Sequence, residues 1–169
     1  MEKQPVNVRS GAIGAILDEY EKALQELKIV IATVTDAELV AVVDPKTDDF
    51  NCKSIQNILA HVVRAGYTYI IMINSLKAPI APFRDRIYRK TAAEFIQDLD
   101  TMFAFNETSL AAFSDAELEE FDDSKKLLSS WDQRYDAEQL LEHAIVHVLR
   151  HRRQIEGSLR VLRGNAGSV

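Results

Sequence analysis

The sequence predicts an all-α protein: an antiparallel four-helix bundle with long connections, built as a single domain over residues 1–169. Three observations predict it. Apolar residues recur at helical spacing through four long segments. No period-two alternation of the strand type recurs along the chain. The length of 169 residues, 47% of them hydrophobic, suits one domain with a substantial core.

The first helix is predicted from about Ser10 to Ala32. Ile13, Ile16, Tyr20, Ala23, Leu24, Leu27 and Val30 form its apolar stripe, and Ser10 is a suitable cap. Thr35-Asp36-Ala37-Glu38 has the form of a capping box and opens a short helical turn. Pro45 to Asn51 is a polar connection. The second helix is predicted from near Ser54 to near Lys77, with Ile55, Ile58, Leu59, Val62, Tyr69, Ile70 and Ile73 on its stripe. Gly66 inside it costs about 1 kcal/mol relative to alanine, which signals close packing.

Ala78 to Lys90, with Pro79 and Pro82, is long for a bundle loop, and long ordered loops often carry function. Thr91-Ala92-Ala93-Glu94 is a second capping box. It opens a third helix through about Phe113, with Phe95, Ile96, Leu99, Met102, Phe103 and Leu110 inside. Ser114-Asp115-Ala116-Glu117 repeats the Thr35 tetrapeptide after a long helix, as a two-fold repeat of helical hairpins would. Asp122 to Tyr135 is polar and carries the only tryptophan, Trp131. Asp136 caps the fourth helix, predicted to about Leu162, and Gly164 and Gly167 mark a frayed tail.

Composition excludes several classes. Net charge is −6, so nucleic acid is not the expected partner. Arg150, Arg152 and Arg153 form the one basic cluster, and it reads as a solvated face pairing with acidic neighbours such as Glu156. The single Cys52 allows no internal disulfide and no cysteine-based zinc site, which fits a reducing, cytoplasmic location. Met1 to Pro5 holds no apolar signal core, and no segment reaches the roughly 18 apolar residues of a membrane span.

The chemistry concentrates in the histidines. Three of the four lie on the predicted last helix, at His143, His147 and His151, and the fourth, His61, lies on the second. Residues four apart share a helix face, so His147 and His151 can point two imidazoles at one ion. His61 can supply a third from across the bundle. Three protein ligands with open positions are the arrangement of a catalytic metal. Neutral imidazole suits nickel, zinc, iron and copper, and an ion held by imidazoles alone keeps its positive charge. It can then acidify a water or a substrate thiol, or polarise a carbonyl.

On a wheel of about 100° per residue, His147 and His151 lie on the rim of the apolar face, and His61 lies at the edge of its own stripe. Both sets therefore border a cleft, and Arg150 and Gln154 fall on the His147 side of it. His143 lies about 12 Å along the axis from His151 and does not share an ion with it easily. It is a group supporting the ligands, a proton carrier or an ordinary partly buried histidine. Arg150, Gln154 and His143 are the candidate catalytic groups. Tyr67, Tyr69 and Tyr88 read as packing residues. Ile145, Val146 and Leu149 make one turn apolar almost all round, which implies deep burial or a subunit interface. No phosphate loop, GxSxG, HExxH or Glu-x-x-His pair competes.

Asn57-Ile58-Leu59-Ala60-His61-Val62 and His147-Val148-Leu149-Arg150-His151-Arg152-Arg153-Gln154 together resemble the DinB/YfiT-like family, as does the helix order over nearly the whole chain. The resemblance implies a four-helix bundle, usually dimeric, bacterial and cytoplasmic. It implies one divalent transition metal ion per chain, commonly nickel or zinc, on His61, His147 and His151. It points to a thiol-dependent S-transferase acting on a small electrophile, with a low-molecular-weight thiol as a partner. Metal-dependent hydrolysis and a non-enzymatic metal- or ligand-binding stress-response protein are the alternatives. The extra His143 and the doubled Arg152-Arg153 depart from the family pattern.

Overall fold

The structure, a computed structural model, describes residues 8–164. The readings of Met1 to Pro5 and of Gly167 fall outside them. Four long helices carry the fold: α1 (Gly11–Ile31), α3 (Ile55–Asn74), α4 (Ala92–Leu110) and α5 (Ala137–Leu162). A short α2 (Asp36–Val40) follows α1, and single 3-10 turns occupy Phe50–Cys52 and Asp115–Glu117. The expected boundaries hold at most ends because the predicted caps form. Thr35, Thr91 and Asp136 each accept from the backbone N–H three residues on, and Glu38, Glu94 and Gln139 reach back. Ser10 occupies the first N-cap without a side-chain bond.

Three expectations need correction. Helix α3 stops at Asn74 rather than near Lys77, and helix α4 stops at Leu110 rather than near Phe113, although Phe113 still packs into the core. The polar segment before α5 contains a small antiparallel ribbon, β1 (Leu127–Leu128) with β2 (Arg134–Tyr135). Two-residue strands are too short to show an alternating pattern. Asp132, at φ 59°, turns the chain between them.

The helices pack as α1 against α5 and α4, and α3 against α4 and α5. Their directions follow from the cross-links. Arg9 meets Glu107 and Lys28 meets Asp100, so α1 and α4 are antiparallel. His61 meets His147, and Tyr69 meets His143, so α3 and α5 are antiparallel too. Glu26 pairs with Arg152, and Thr33 O, just past the end of α1, accepts from Arg163, which makes α1 and α5 parallel. Gly66 lies on Met102, and Lys77, past the end of α3, donates to Ala112 O past the end of α4, which makes α3 and α4 parallel.

A parallel pair needs a connection that returns the full helix length. The 20 residues of α3 span about 30 Å. The long segment that the sequence placed between Ala78 and Lys90 is that return. It runs extended and antiparallel to α3, tied by Arg64 Nε to Arg84 O (3.1 Å) and by Gln56 Nε2 to Arg89 O (2.8 Å). Gly66 is required where α3 and α4 touch: a Cβ there would come within 2.5 Å of Met102 Sδ.

Candidate metal centre

His61 sits in the second turn of α3, where its helix faces α5. Asn57, one turn earlier, is buried and fixes the start of α3 by accepting from Ser54 Oγ (2.6 Å) and donating to Phe50 O (2.9 Å). His147 and His151 lie one turn apart on α5 and face it across the seam. His61 Nε2 is 2.9 Å from His147 Nε2, and His147 Nε2 is 3.1 Å from His151 Nε2. The three ligand atoms lie within 4.8 Å of one another, so this group can hold a metal ion. Ligand nitrogens at tetrahedral angles about 2.05 Å from zinc stand roughly 3.4 Å apart, close to the spacing seen. Among the described residues no cysteine or carboxylate joins the group.

The electrostatics favour the same use. Burial, reinforced by His151 and then Arg86, lowers the pKa of His61 to about 4. Burial, reinforced by His151 and His61, lowers that of His147 to about 2. Burial also lowers His151, against the opposing hydrogen bond from Gln154. Imidazoles held neutral keep a lone pair free for a cation.

Gln154 reaches the site as the sequence predicted. Its Oε1 accepts from Nδ1 of His151 at 2.6 Å, so that nitrogen carries the proton and Nε2 is left bare. Its Nε2 donates to Cys52 Sγ at 3.6 Å, and the Cys52 thiol donates to Asp49 Oδ2 at 3.3 Å. Asp49 and Cys52 thus stand behind His151. Nothing local in the sequence marks them, since they lie far from α5 along the chain.

Arg150 does not enter the cleft. It is exposed and lines an outer groove of α5 with Val146, Leu149, Arg153 and Arg160; it acts on His147 and His151 only through its charge. Three residues past His147, its long side chain leaves the seam for solvent. Arg152 pairs with Glu26 and Glu156, the solvated face expected of the cluster.

His143 stands apart from the ligand group. Trp131 stacks on it at 5.2 Å between ring centroids, and Tyr69 and Tyr135 meet it at 5.5 Å and 5.7 Å. The β1–β2 ribbon supplies two of these three rings. His143 also borders an open cavity of about 520 Å³ with Tyr135, Gln139 and Glu142. Tyr67 and Tyr69 are buried packing residues as expected, but Tyr88 is exposed on the return segment. The apolar turn on α5 divides: Ile145 packs on the core, while Val146 is 61% and Leu149 37% exposed.

The family model for the DinB superfamily matches residues 19–155, from within α1 to four residues beyond His151. No curated protein and no solved structure matches the chain.

Proposed function

The chain belongs to the DinB superfamily, and from that premise we propose that it is a metal-dependent enzyme, a thiol-dependent S-transferase acting on a small electrophile. One observation carries the reading: three neutral imidazoles converge from two helices on one point, with no fourth protein donor among the described residues. His61, His147 and His151 would hold one divalent transition ion, nickel or zinc by the family resemblance, both of which imidazole suits. When bound, such an ion supplies Lewis acidity at its open positions, to a thiol, a water or a carbonyl.

The chain's own groups do the rest. Gln154 fixes the tautomer of His151. Asp49, the carboxylate whose charge acts on His61 and His151, is already engaged by the backbone N–H of Asn51 and the Cys52 thiol, so it is not free as a base for water. A thiol, with its pKa near 8.5, needs far less help to deprotonate than water does. That difference supports thiol transfer over hydrolysis. His143, a turn from His147 and beside an open cavity, is the available proton carrier.

We assign the protein to the cytoplasm, consistent with the finding that no described helix is long and apolar enough to cross a membrane. Exposed Val146, Leu149 and Val161 on the outer face of α5 support a homodimer.

Metal analysis of purified protein tests the site, and a screen of electrophiles with and without small thiols tests the reaction. About one ion per chain and thiol-dependent turnover are expected. Turnover that ignores thiols and consumes only water would replace the transferase with a hydrolase. A bound ion with no turnover would leave a metal-binding protein.

A further inference from the structure

Four large apolar side chains, each at least 41% exposed, converge on one cavity. Ile80 and Phe83 come from the return segment, and Leu128 and Trp131 come from the ribbon and its turn. The cavity holds about 580 Å³, and α3 forms its floor at Arg64, Thr68 and Met72. Scattered exposed apolar residues are ordinary, but a group of them lining one concavity marks a binding surface.

This cavity adjoins the histidine site. At about 100° per residue, Thr68 and Met72 fall within about 20° of His61 around α3, so the floor continues the stripe that carries His61. Arg64, at the near end, is one turn from His61, and Thr68 is about 10 Å from it along the axis. The wall reaches the site as well. Trp131 stacks on His143 at 5.2 Å between ring centroids, and His143 on His147 at 6.3 Å. The polar groups of the lining are largely engaged within the protein. Thr68 Oγ1 donates to Arg64 O, Ser75 Oγ donates to Met72 O, and Ser129 Oγ accepts from the Gln133 N–H. Trp131 Nε1 donates to Gln133 Oε1, and Arg64 Nε donates to Arg84 O. The lining contains no carboxylate, and Arg64, at the histidine end, is its single charged side chain.

We propose that this cavity holds the body of the electrophile, and that the electrophile is an uncharged molecule with an aromatic or similarly apolar body whose reactive end faces the histidines. A concave site of this volume, with mostly apolar walls, is of the size and kind that takes a small molecule. A charged body buried against these walls would lose its hydration without gaining a partner, whereas an apolar one covers surface that is now wet. This inference rests on the thiol-transfer reading above, and the test separates the two.

Trp131 is the only tryptophan, so its indole N–H gives a single signal in a proton–nitrogen correlation spectrum. Zinc-loaded protein is titrated with 4-methylbenzyl alcohol, 4-methylbenzoate and 4-methylbenzylamine, and binding is followed at that signal. The alcohol should bind about tenfold more tightly than either charged analogue. In cobalt-loaded protein the paramagnetic ion should speed the relaxation of the bound alcohol's protons, an effect that falls steeply with distance and is absent with zinc. Phe83→Ser and Leu128→Ser, both at exposed positions, should each weaken alcohol binding about tenfold while helicity and cobalt stoichiometry stay unchanged. A charged analogue that binds as tightly as the alcohol overturns the uncharged class. Alcohol that binds without cobalt-enhanced relaxation sets the cavity apart from the metal and overturns its place in the reaction. No alcohol binding overturns the proposal, and if Phe83→Ser also turns a dimer into a monomer in sedimentation, the apolar cluster belongs to a second copy of the chain. In each of these cases cobalt still binds and the metal site stands. Failure to bind cobalt overturns the metal reading and this inference with it.

Discussion

The ion-paired rim of the bundle and the histidine seam between α3 and α5 treat polar side chains in opposite ways. Along the rim, charges at several helix ends meet their opposites. Arg163 holds the Glu38 carboxyl at about 2, Lys77 does the same for Glu117, and Arg9 is raised by Asp18, Glu21 and Glu107. Both partners stay charged, and the pairs fasten helix ends together. In the seam the titratable groups meet their own kind and nearby arginines. Burial drives His61 to about 4 and His147 to about 2, so these groups stay neutral. Burying polar groups without opposite charges is unfavourable for folding. The rim serves stability, whereas the seam spends stability on a point prepared for a cation.

The contrast is broken most sharply at His147, the central member of the triad. His147→Ala should abolish metal binding, a loss beyond the roughly 10–100-fold that removing a supporting hydrogen bond costs. Helicity should be unchanged by circular dichroism. Metal retained at one ion per chain after dialysis would show that the seam is not a cation site. Gln154→Leu sharpens the comparison one step out. It leaves all three ligands in place but frees the His151 ring to choose the wrong tautomer. Metal affinity measured against a competing chelator should fall about 10–100-fold. A rim variant such as Lys28→Ala should leave metal affinity untouched.

Much of this was legible in the sequence, and the boundary of what was legible is physical. Helical periodicity and capping boxes are local, so the elements around Thr35, Thr91 and Asp136 could be read residue by residue. The triad was legible because two of its members share one helix face and the fourth histidine has few other places to meet them. The aromatic surround of His143 was not, because it depends on a ribbon of two-residue strands. Asp49 and Cys52 reach the site only through the path of connections. The long return segment was visible as a length, but its direction along α3 needed the parallel packing of α3 and α4. Gly66 is the local clue to that packing. Gly66→Ala should destabilise the fold by about 1–2 kcal/mol, since Met102 must shift to admit a methyl group. Urea unfolding would measure this, with metal stoichiometry unchanged. A stabilisation by the full helix-propensity gain of about 1 kcal/mol would mean that α3 and α4 are not in contact there.

The smallest expected effect belongs to the rim. Glu38 binds Arg163 and closes the Thr35 capping box, and its carboxyl is held down to about 2 from an ordinary value of 4.5. The unfolded chain therefore takes up a proton at this position before the folded chain does. Its contribution to stability is fully present above pH 4.5 and is lost as the pH falls toward 2. The pair is open to water, so its worth is small and salt screens it. Glu38→Gln should flatten the acid limb of the stability curve slightly, and added salt should shrink the difference between variant and wild type. The metal-binding seam should not respond to this change, because Glu38 is not one of the groups acting on its histidines. If Glu38→Gln weakened metal binding at neutral pH, rim and seam would be coupled, and the division of labour between them would have to be abandoned.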